Sequence, residues 1–292
     1  MYDFTSYYEA ESISDAVRLL QKHPDAVPVC GGSDVLIRIR EGKRSGCSLV
    51  SIRDIKELHG ITLDSDGTIS IGAASTFRHL TDDPVIKKYV PVLGEAVDQA
   101  GGPQIRNVGT IGGNLCNGAV SADSAPACFC LNVRLRILGE NGVRTVPIQD
   151  FYMGPGRVAL EHGELLTHIL IPRENYERYT GCYIKYAMRN AMDIATLSCC
   201  VLCKTDLSSQ ILEDVKITFG VAAPVPFCCE KTQKQLAGMP LGDKLCDTIE
   251  QSVREEIRPR DSWRASRDFR LQIGGEIARR ALKRAIELQE VR

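Results

Sequence analysis

Two glycine-rich turns constrain the fold of this chain more than any other feature of its sequence. The first is VPVCGGSD at residues 27–34, and the second is GTIGGN at residues 109–114. The first turn stands between an apolar segment, residues 26–30, and the run VLIRIR, residues 35–40, whose pattern fits a strand or a short helix equally well. A strand, a glycine turn and an amphipathic element in this order predict a compact α/β unit.

The chemistry of both turns is suited to a phosphate-containing ligand. Glycine lets several backbone N–H groups face one concavity and lets a ligand approach without a Cβ in the way. A pyrophosphate needs several such donors, because the hydrogen bonds that it makes with water have to be replaced. Ser33 and Thr110 add hydroxyl donors, and Asn114 can donate through its amide. We therefore expect the amides around residues 31–33 and 110–113 to converge on one ligand.

Neither turn carries a known nucleotide-binding fingerprint, and each taken alone is typical of an ordinary tight turn. No G-x-G-x-x-G follows the first strand, and the pair Gly42-Lys43 precedes Arg44 instead of the Ser or Thr of a Walker loop. A third polar loop reaches Ser121 and Asp123. The three loops together favour a site for a nucleotide-like ligand over unrelated turns.

The hydrophobic pattern mixes short helices and strands along the whole chain. It predicts helices at residues 14–21, 76–80, 93–99, 232–236, 243–254 and 262–288. It predicts strands at residues 49–52, 60–63, 68–73, 134–138, 143–147, 165–171, 183–188, 194–204 and 215–221, with hairpins joining the second to the third and the fourth to the fifth. Residues 109–124 contain four glycines, two asparagines and two serines, and we expect them to form a long functional loop.

The polar segment at residues 173–180 is interpreted as a linker between two domains. It divides the chain into residues 1–175, with two lobes of about 1–55 and 56–175, and residues 176–292.

Composition and charge exclude several classes of partner. The 292 residues are 43% apolar and 25% charged, with a formal net charge of −1, so no overall field attracts nucleic acid or an anionic membrane. The amino terminus lacks the basic start and apolar core of a signal peptide, and no apolar run approaches the roughly 20 residues that span a bilayer. We expect a cytoplasmic protein with no nucleic-acid or membrane partner.

Twelve cysteines occur in the chain, and without an export signal reduced thiols are expected. Their spacing matches neither the C-x4-C-x2-C of plant-type two-iron centres nor the C-x2-C-x2-C of ferredoxins. The pair Cys200 and Cys203 falls in the apolar run ATLSCCVLC. Because free cysteine in such a strand behaves as a small hydrophobe, structural filling is favoured over metal binding.

The order of several motifs resembles the FAD-binding medium subunits of molybdenum hydroxylases, and most of all the flavin subunits of bacterial xanthine dehydrogenases. The motifs are CGGSDVLI at 30–37, GGPQIRNVGTIGGNLCNGAVSADSAP at 101–126, FYMGPGRVAL at 151–160, ELLTHILIP at 164–172, KYAMRNAMDIA at 185–195, FGVAAPVP at 219–226 and WRASRDFR at 263–270. The resemblance implies an α+β fold: a two-lobed FAD-binding domain of the vanillyl-alcohol-oxidase (PCMH) type, followed by a smaller α+β C-terminal domain.

The resemblance also implies which residues bind FAD. The pyrophosphate turns are Val27, Pro28, Val29, Cys30, Gly31, Gly32, Ser33 and Asp34, and Gly109, Thr110, Ile111, Gly112 and Gly113 with Asn114 adjoining. Ala100 and Asp123 match further cofactor contacts, and Leu165 and Lys185 match positions that line the flavin ring. A cation there would stabilise the negative charge of reduced flavin. Cys30 and Ser33 replace the family's usual alanine and threonine with residues of similar size.

The implied role is electron transfer in a larger complex, with no catalytic side chain and no metal site in this chain. Electrons from a molybdenum-binding large subunit, which hydroxylates a purine-like heterocycle at a molybdopterin centre, would pass through two-iron clusters on a small iron–sulfur subunit. The FAD held here would receive them, and NAD would accept them as hydride. Two alternatives stay open: a stand-alone flavin oxidase of the same fold, and a flavin-free scaffold subunit.

Other polar residues have two interpretations each. Asp193 could orient a partner or substrate, or cap a turn before the following strand. Arg106 could touch a cofactor phosphate or pair with a surface carboxylate. The five histidines are scattered along the chain, so solvent exposure is expected of them, and the arginines of the final helix fit a solvated face or a subunit contact.

Overall fold

The computed structural model describes residues 2–291. Its strands are β1 Phe4–Glu9, β2 Val27–Val29, β3 Cys47–Ser51, β4 Ile61–Leu63, β5 Ile69–Gly72, β6 Arg134–Gly139, β7 Gly142–Pro147, β8 Tyr152–Gly154, β9 Arg157–Val158, β10 Leu165–Ile171, β11 Thr180–Tyr186, β12 Leu197–Asp206, β13 Ile211–Gly220 and β14 Phe227–Cys228. Its helices are α1 Ile13–Lys22, α2 Val35–Arg40, α3 Phe77–Asp82, α4 Pro84–Tyr89, α5 Pro91–Asp98, α6 Pro103–Val108, α7 Ile111–Cys116, α8 Ser124–Cys130, α9 Ile148–Phe151, α10 Glu230–Leu236, α11 Asp243–Glu256 and α12 Arg267–Glu290, with 3₁₀ turns at Lys56–Leu58 and Arg173–Asn175.

The first sheet is small and parallel, in the order β1-β3-β2. Helix α1 begins where the Ser12 hydroxyl accepts a hydrogen bond from the Asp15 amide at 3.1 Å, which satisfies one of the unpaired N–H groups of the first turn. Its buried side chains are Ala16, Val17, Leu19 and Leu20, a spacing of one helical face. The run VLIRIR forms helix α2, directly after the first glycine turn.

The second sheet has five strands in the order β4-β5-β10-β6-β7. The two predicted hairpins are present: β4 pairs antiparallel with β5, and β6 with β7 across the Asn141-Gly142 turn. Helices α3 to α8 lie between β5 and β6 in the chain, and their apolar faces share one core with this sheet. That core also includes Tyr183, Cys200 and Leu202 of the third sheet.

The third sheet has the order β11-β12-β13-β14 and is antiparallel. Its other face packs with α10, α11 and α12 around a second core. Cys199 and Cys203 are fully buried in this core and Cys200 in the first one, so these thiols fill apolar space as expected. The twelve cysteines are all free.

The α+β fold expected from the sequence is confirmed, but the prediction that residues 109–124 form one long loop is wrong. Helix α7 occupies residues 111–116 and α8 begins at Ser124. Because glycine has a low helix propensity, the sequence pattern did not predict α7. A Cβ on Gly112 would lie 2.5 Å from the Ala73 carbonyl oxygen, so only glycine lets this helix pack so close to the end of β5.

The linker segment is packed against the protein. Residues 173–175 form a 3₁₀ turn, Tyr176 and Tyr179 are buried, and β11 begins at Thr180. The division between residues 175 and 176 stays a prediction. No helix within residues 2–291 has both the length and the apolar character needed to cross a membrane.

Candidate functional site

A cavity of about 570 Å³ lies where the three sheets meet, a volume typical of small-molecule and cofactor sites. The first sheet contributes the turn after β2, the second the start of β10, and the third the β11–β12 connection. Sixteen of the eighteen residues expected at the site line this cavity: Val27, Pro28, Val29, Cys30, Gly31, Gly32, Ser33, Asp34, Ala100, Gly109, Thr110, Gly112, Gly113, Asn114, Asp123 and Leu165.

Two expected residues do not line the cavity. Ile111 is fully buried in the core of the second sheet, because α7 turns that side chain inward. Lys185 lies behind the wall, where its ammonium group contacts Asp123. Asp123 is thus the residue through which Lys185 acts on the cavity.

The two glycine turns touch each other at the base of the cavity. A Cβ on Gly31 would lie 1.8 Å from the carbonyl oxygen of Val108 and 3.2 Å from the amide nitrogen of Gly109. Gly32 has φ +69°, a left-handed conformation that suits glycine. The turns, 78 positions apart in the sequence at Gly31 and Gly109, therefore form one continuous surface.

The amides of the turns differ in whether the protein already uses them. Ile111 N donates to Ser75 O at 3.1 Å, Gly112 N to Ala73 O at 2.9 Å, and Gly113 N to the Thr110 hydroxyl at 3.1 Å. These three amides hold α7 in place, so of residues 110–113 only the Thr110 amide can contribute to the expected convergence on one ligand.

Other amides of the two turns remain available to a ligand. Within residues 2–291, the amides of Gly31, Gly32, Ser33 and Thr110 donate no hydrogen bond to the protein, and all four residues line the cavity. Such amides need water or a ligand acceptor.

Side chains supply further polar groups on this surface. The Asn114 carbonyl oxygen accepts a hydrogen bond of 2.6 Å from the Ser124 hydroxyl, which leaves the amide NH₂ to donate elsewhere. Arg38 bridges to Asn117 at 2.5 Å and to Asp34 at 3.0 Å. Arg38 and Arg44 line the cavity and bring positive charge to it. Sequence reasoning missed both arginines because they belong to α2 and to the turns after it, outside the glycine motif.

Asp123 is held by two partners at the far side of the cavity. Lys185 Nζ donates to Asp123 Oδ2 at 2.9 Å and to the Gln99 carbonyl at 2.9 Å, while the Tyr183 hydroxyl donates to Asp123 Oδ1 at 2.9 Å. The Lys185 and Asp123 side chains are only 6% and 11% exposed. Burial raises the pKa of the Asp123 carboxyl, and the ammonium and hydroxyl partners oppose that rise. Burial likewise raises the pKa of Tyr183 well above its usual value, so the phenol remains a donor.

Two groups on the remaining wall are fixed by the surrounding structure. Glu164 accepts 2.6 Å hydrogen bonds from Arg144 Nε and Nη2, and these bonds hold the pKa of its carboxyl below the usual range. Burial raises the pKa of the Cys116 thiol to about 12. The Glu164 carboxylate is therefore paired with arginine, and the Cys116 thiol is neutral. Neither group is suited to act as an acid, a base or a nucleophile.

Several apolar wall residues are not among the eighteen residues expected at the site. They are Phe77, Ile105, Leu160, Leu166, Met192 and Ile194. Asp193 also lines the cavity, and its carboxylate accepts hydrogen bonds from the amides of Arg189 and Ile194. It therefore acts as a turn cap, the second of its two interpretations. A contact between such distant segments leaves no spacing signal in a single sequence.

Arg106 and the histidines are placed outside the cavity. Arg106 Nε lies 3.2 Å from Asp98 Oδ1, so it pairs with a surface carboxylate. His59, His79 and His162 are exposed, while His23 and His168 are half-buried. In the described part of the chain, no group of three or more His, Cys, Asp or Glu side chains is arranged to hold a metal ion.

Fold and site define an α+β protein with a nucleotide-sized cavity between two glycine turns. The family described as "FAD binding domain in molybdopterin dehydrogenase" matches residues 2–174, and the one described as "CO dehydrogenase flavoprotein C-terminal domain" matches residues 182–285. The chain belongs to the FAD-binding subunits of the molybdenum hydroxylases related to xanthine and carbon monoxide dehydrogenases, and is a flavoprotein subunit of a multi-subunit oxidoreductase.

Individual relatives cover nearly the whole chain. It is 40% identical over 286 residues to the xanthine dehydrogenase FAD-binding subunit of Escherichia coli O157:H7, covering 98% of this chain and 97% of that one. It is 31% identical to the carbon monoxide dehydrogenase medium chain of Afipia carboxidovorans, covering 96% of each. Among solved structures, the Cu,Mo-CO dehydrogenase in its cyanide-inactivated form matches with a TM-score of 0.91, 30% identity and 98% of both chains covered. Quinoline 2-oxidoreductase of Pseudomonas putida 86 matches with a TM-score of 0.93, 25% identity and 99% of both chains covered.

Proposed function

We propose that this chain holds FAD in the cavity between its glycine turns and transfers electrons from an iron–sulfur subunit to NAD. In this proposal a small partner carries two-iron clusters, and a large partner carries molybdopterin and oxidises a purine-like heterocycle such as xanthine in the cytoplasm. The identity of 40% to a xanthine dehydrogenase subunit supports a purine-like heterocycle as the substrate of the complex. The single observation that carries the proposal is the contact of the two glycine turns at the base of one cavity.

The residues at the cavity fit a dinucleotide. The free amides of Gly31, Gly32, Ser33 and Thr110 supply the donors that a diphosphate needs. A side chain at Gly31 would force the two turns apart, because its Cβ would overlap the Val108 carbonyl. Arg44 lines the same cavity and can offset the anionic charge, while Arg38 is paired with Asp34 at 3.0 Å. The whole cavity has a volume of about 570 Å³, and the part away from the glycine turns has apolar walls suited to aromatic rings.

The chain's own residues would orient the cofactor and set its electrostatic surroundings. Ala100 and Leu165 offer apolar walls, and the buried Asp123–Lys185 pair places a fixed dipole next to them. When bound, FAD supplies the ability to exchange single electrons on one side and a hydride on the other. The proposed electron transfer requires no side chain of this chain to act as a general acid or base.

The visible spectrum of the purified chain distinguishes this proposal from its alternatives. We expect a flavin band that xanthine bleaches only when the iron–sulfur and molybdenum subunits are present, and bleached protein that is reoxidised by NAD. A band bleached directly by a small substrate would favour the stand-alone oxidase. A colourless protein that still assembles with its partners would favour the scaffold.

A further inference from the structure

Large apolar side chains are exposed beside the opening of the cavity. They come from the end of β11, the β11–β12 connection, the segment that leads into α12 and the first turn of α12. Together we call them the Trp263 surface: Tyr186, Met188, Met192, Ile194, Trp263 and Phe269. Trp263, the only tryptophan of the chain, is 78% exposed. Soluble proteins expose large apolar residues singly, whereas a contiguous group marks an interaction site.

The two segments of the Trp263 surface are joined to each other. The rings of Tyr186 and Phe269 lie 5.7 Å apart. Next to them, the guanidinium group of the buried Arg270 donates to the Thr196 carbonyl at 3.1 Å and to the Ser262 hydroxyl at 2.6 Å. These bonds connect the end of the β11–β12 connection to the segment that carries Trp263. The two segments that carry the exposed side chains are therefore held in place relative to each other.

The surroundings of this surface are basic. Residues 258–270 contain five arginines and two aspartates, and of the arginines only Arg270 is buried. The Arg264 guanidinium lies 4.2 Å from the centre of the Trp263 ring. Tryptophan, tyrosine, phenylalanine, methionine and arginine are the residues enriched in protein interfaces, and the excess of arginine calls for an acidic partner.

The position of the Trp263 surface indicates which partner it fits. Met192 and Ile194 line the cavity and are also exposed, so the surface continues into the cofactor site. A protein that delivers electrons to a bound flavin has to approach that site closely. We propose that the Trp263 surface docks an acidic, partly apolar face of the iron–sulfur partner subunit. This inference rests on the proposed function and adds the place where electrons enter.

Aromatic truncation tests the apolar part of the surface. Trp263→Ala and Phe269→Ala, each exposed and outside the cavity lining, are compared with Tyr7→Ala, which removes an exposed aromatic ring from β1. The dissociation constant for the purified iron–sulfur subunit is measured by titration, together with turnover of the reconstituted complex. We expect at least about tenfold weaker binding for Trp263→Ala and Phe269→Ala, and a change below about twofold for Tyr7→Ala.

Charge reversal tests the basic part. Arg264→Glu combined with Arg267→Glu should slow association with the iron–sulfur subunit and reduce its dependence on salt, whereas Arg18→Glu on α1 should leave both unchanged. In all variants the flavin absorbance and its direct bleaching by dithionite should equal those of the unmodified chain, because the cavity is untouched.

The outcomes separate this inference from the proposed function. If the unmodified chain carries flavin and accepts electrons through its partners, but the Trp263 and arginine variants bind the iron–sulfur subunit normally, the docking inference is overturned and the proposed function stands. Weakened binding to the molybdenum subunit alone, or lost self-association, would also overturn it. A flavin-free unmodified chain would overturn both.

Discussion

Gly31 is the residue at which sequence, packing and binding are most tightly connected. A Cβ there would sit 1.8 Å from the Val108 carbonyl oxygen, far inside van der Waals contact, and backbone cannot move aside cheaply. We predict that Gly31→Ala separates the two turns and lowers the flavin content of the purified chain by more than tenfold, on the order of the loss that a misplaced binding group causes. The ratio of flavin absorbance to protein absorbance measures the flavin content of the variant.

Gly42→Ala is the matched control for this change. Gly42 follows α2, has φ +75° and has nothing within 4 Å of an added Cβ. Alanine there costs about 1 kcal/mol of backbone strain, so stability falls slightly while flavin content is retained. Equal flavin loss in both variants would mean that Gly31 acts only through general destabilisation.

A second prediction at the scale of single residues concerns the Asp123–Lys185 pair. Lys185→Met leaves a buried carboxylate without its cation, which costs about 3–5 kcal/mol in comparable pairs. Burial already raises the pKa of Asp123 above 3.8, and loss of the ammonium raises it further. A carboxyl with a raised folded-state pKa stabilises the protein below its unfolded value and loses that contribution as pH rises through the folded value.

The unfolding free energy of Lys185→Met should therefore fall more steeply with rising pH, from about pH 4 upward, than that of the unmodified chain. Chemical denaturation at several pH values measures the difference. Adding Asp123→Asn removes the buried charge, so the double variant should lose the extra pH dependence. If the dependence persists in the double variant, Asp123 is not its source.

At the scale of single elements, the short helix α7 positions the second glycine turn. Its first turn is capped by the Thr110 hydroxyl, which accepts from Gly113 N at 3.1 Å. Ser12 caps α1 in the same way with the same distance to Asp15 N. Both caps should contribute about 1 kcal/mol to stability, but only α7 borders the cavity.

Thr110→Ala and Ser12→Ala should accordingly differ in function and not in stability. We predict similar decreases in the midpoint of denaturation for both, and weaker FAD binding for Thr110→Ala alone, measured by quenching of flavin fluorescence during titration. An unchanged FAD affinity in Thr110→Ala would show that the cap does not position the turn.

At the scale of the whole molecule, the sequence predicted most of the elements because their apolar periodicity is strong. The two hairpins of the second sheet and the long α12 are examples. Helix α7 was missed because its stability comes from the close contact of Gly112 with Ala73, a tertiary effect that outweighs the low local propensity.

The site was predictable only in part for the same reason. The glycine turns carry a local signal, and Asp123 and Lys185 followed from the resemblance to a family. Arg38, Phe77, Met192 and Ile194 reach the cavity from three other elements, so their convergence depends on how the sheets pack. A single sequence contains no direct record of that packing.

The nucleotide content of the purified chain tests the central claim most directly. Heat-denatured protein should release one FAD per chain, identified by chromatography against FAD and FMN standards, and Gly31→Ala prepared in parallel should release almost none. Protein that is colourless as purified and binds no FAD on titration, or that releases FMN instead, would contradict the assignment of this cavity to a dinucleotide.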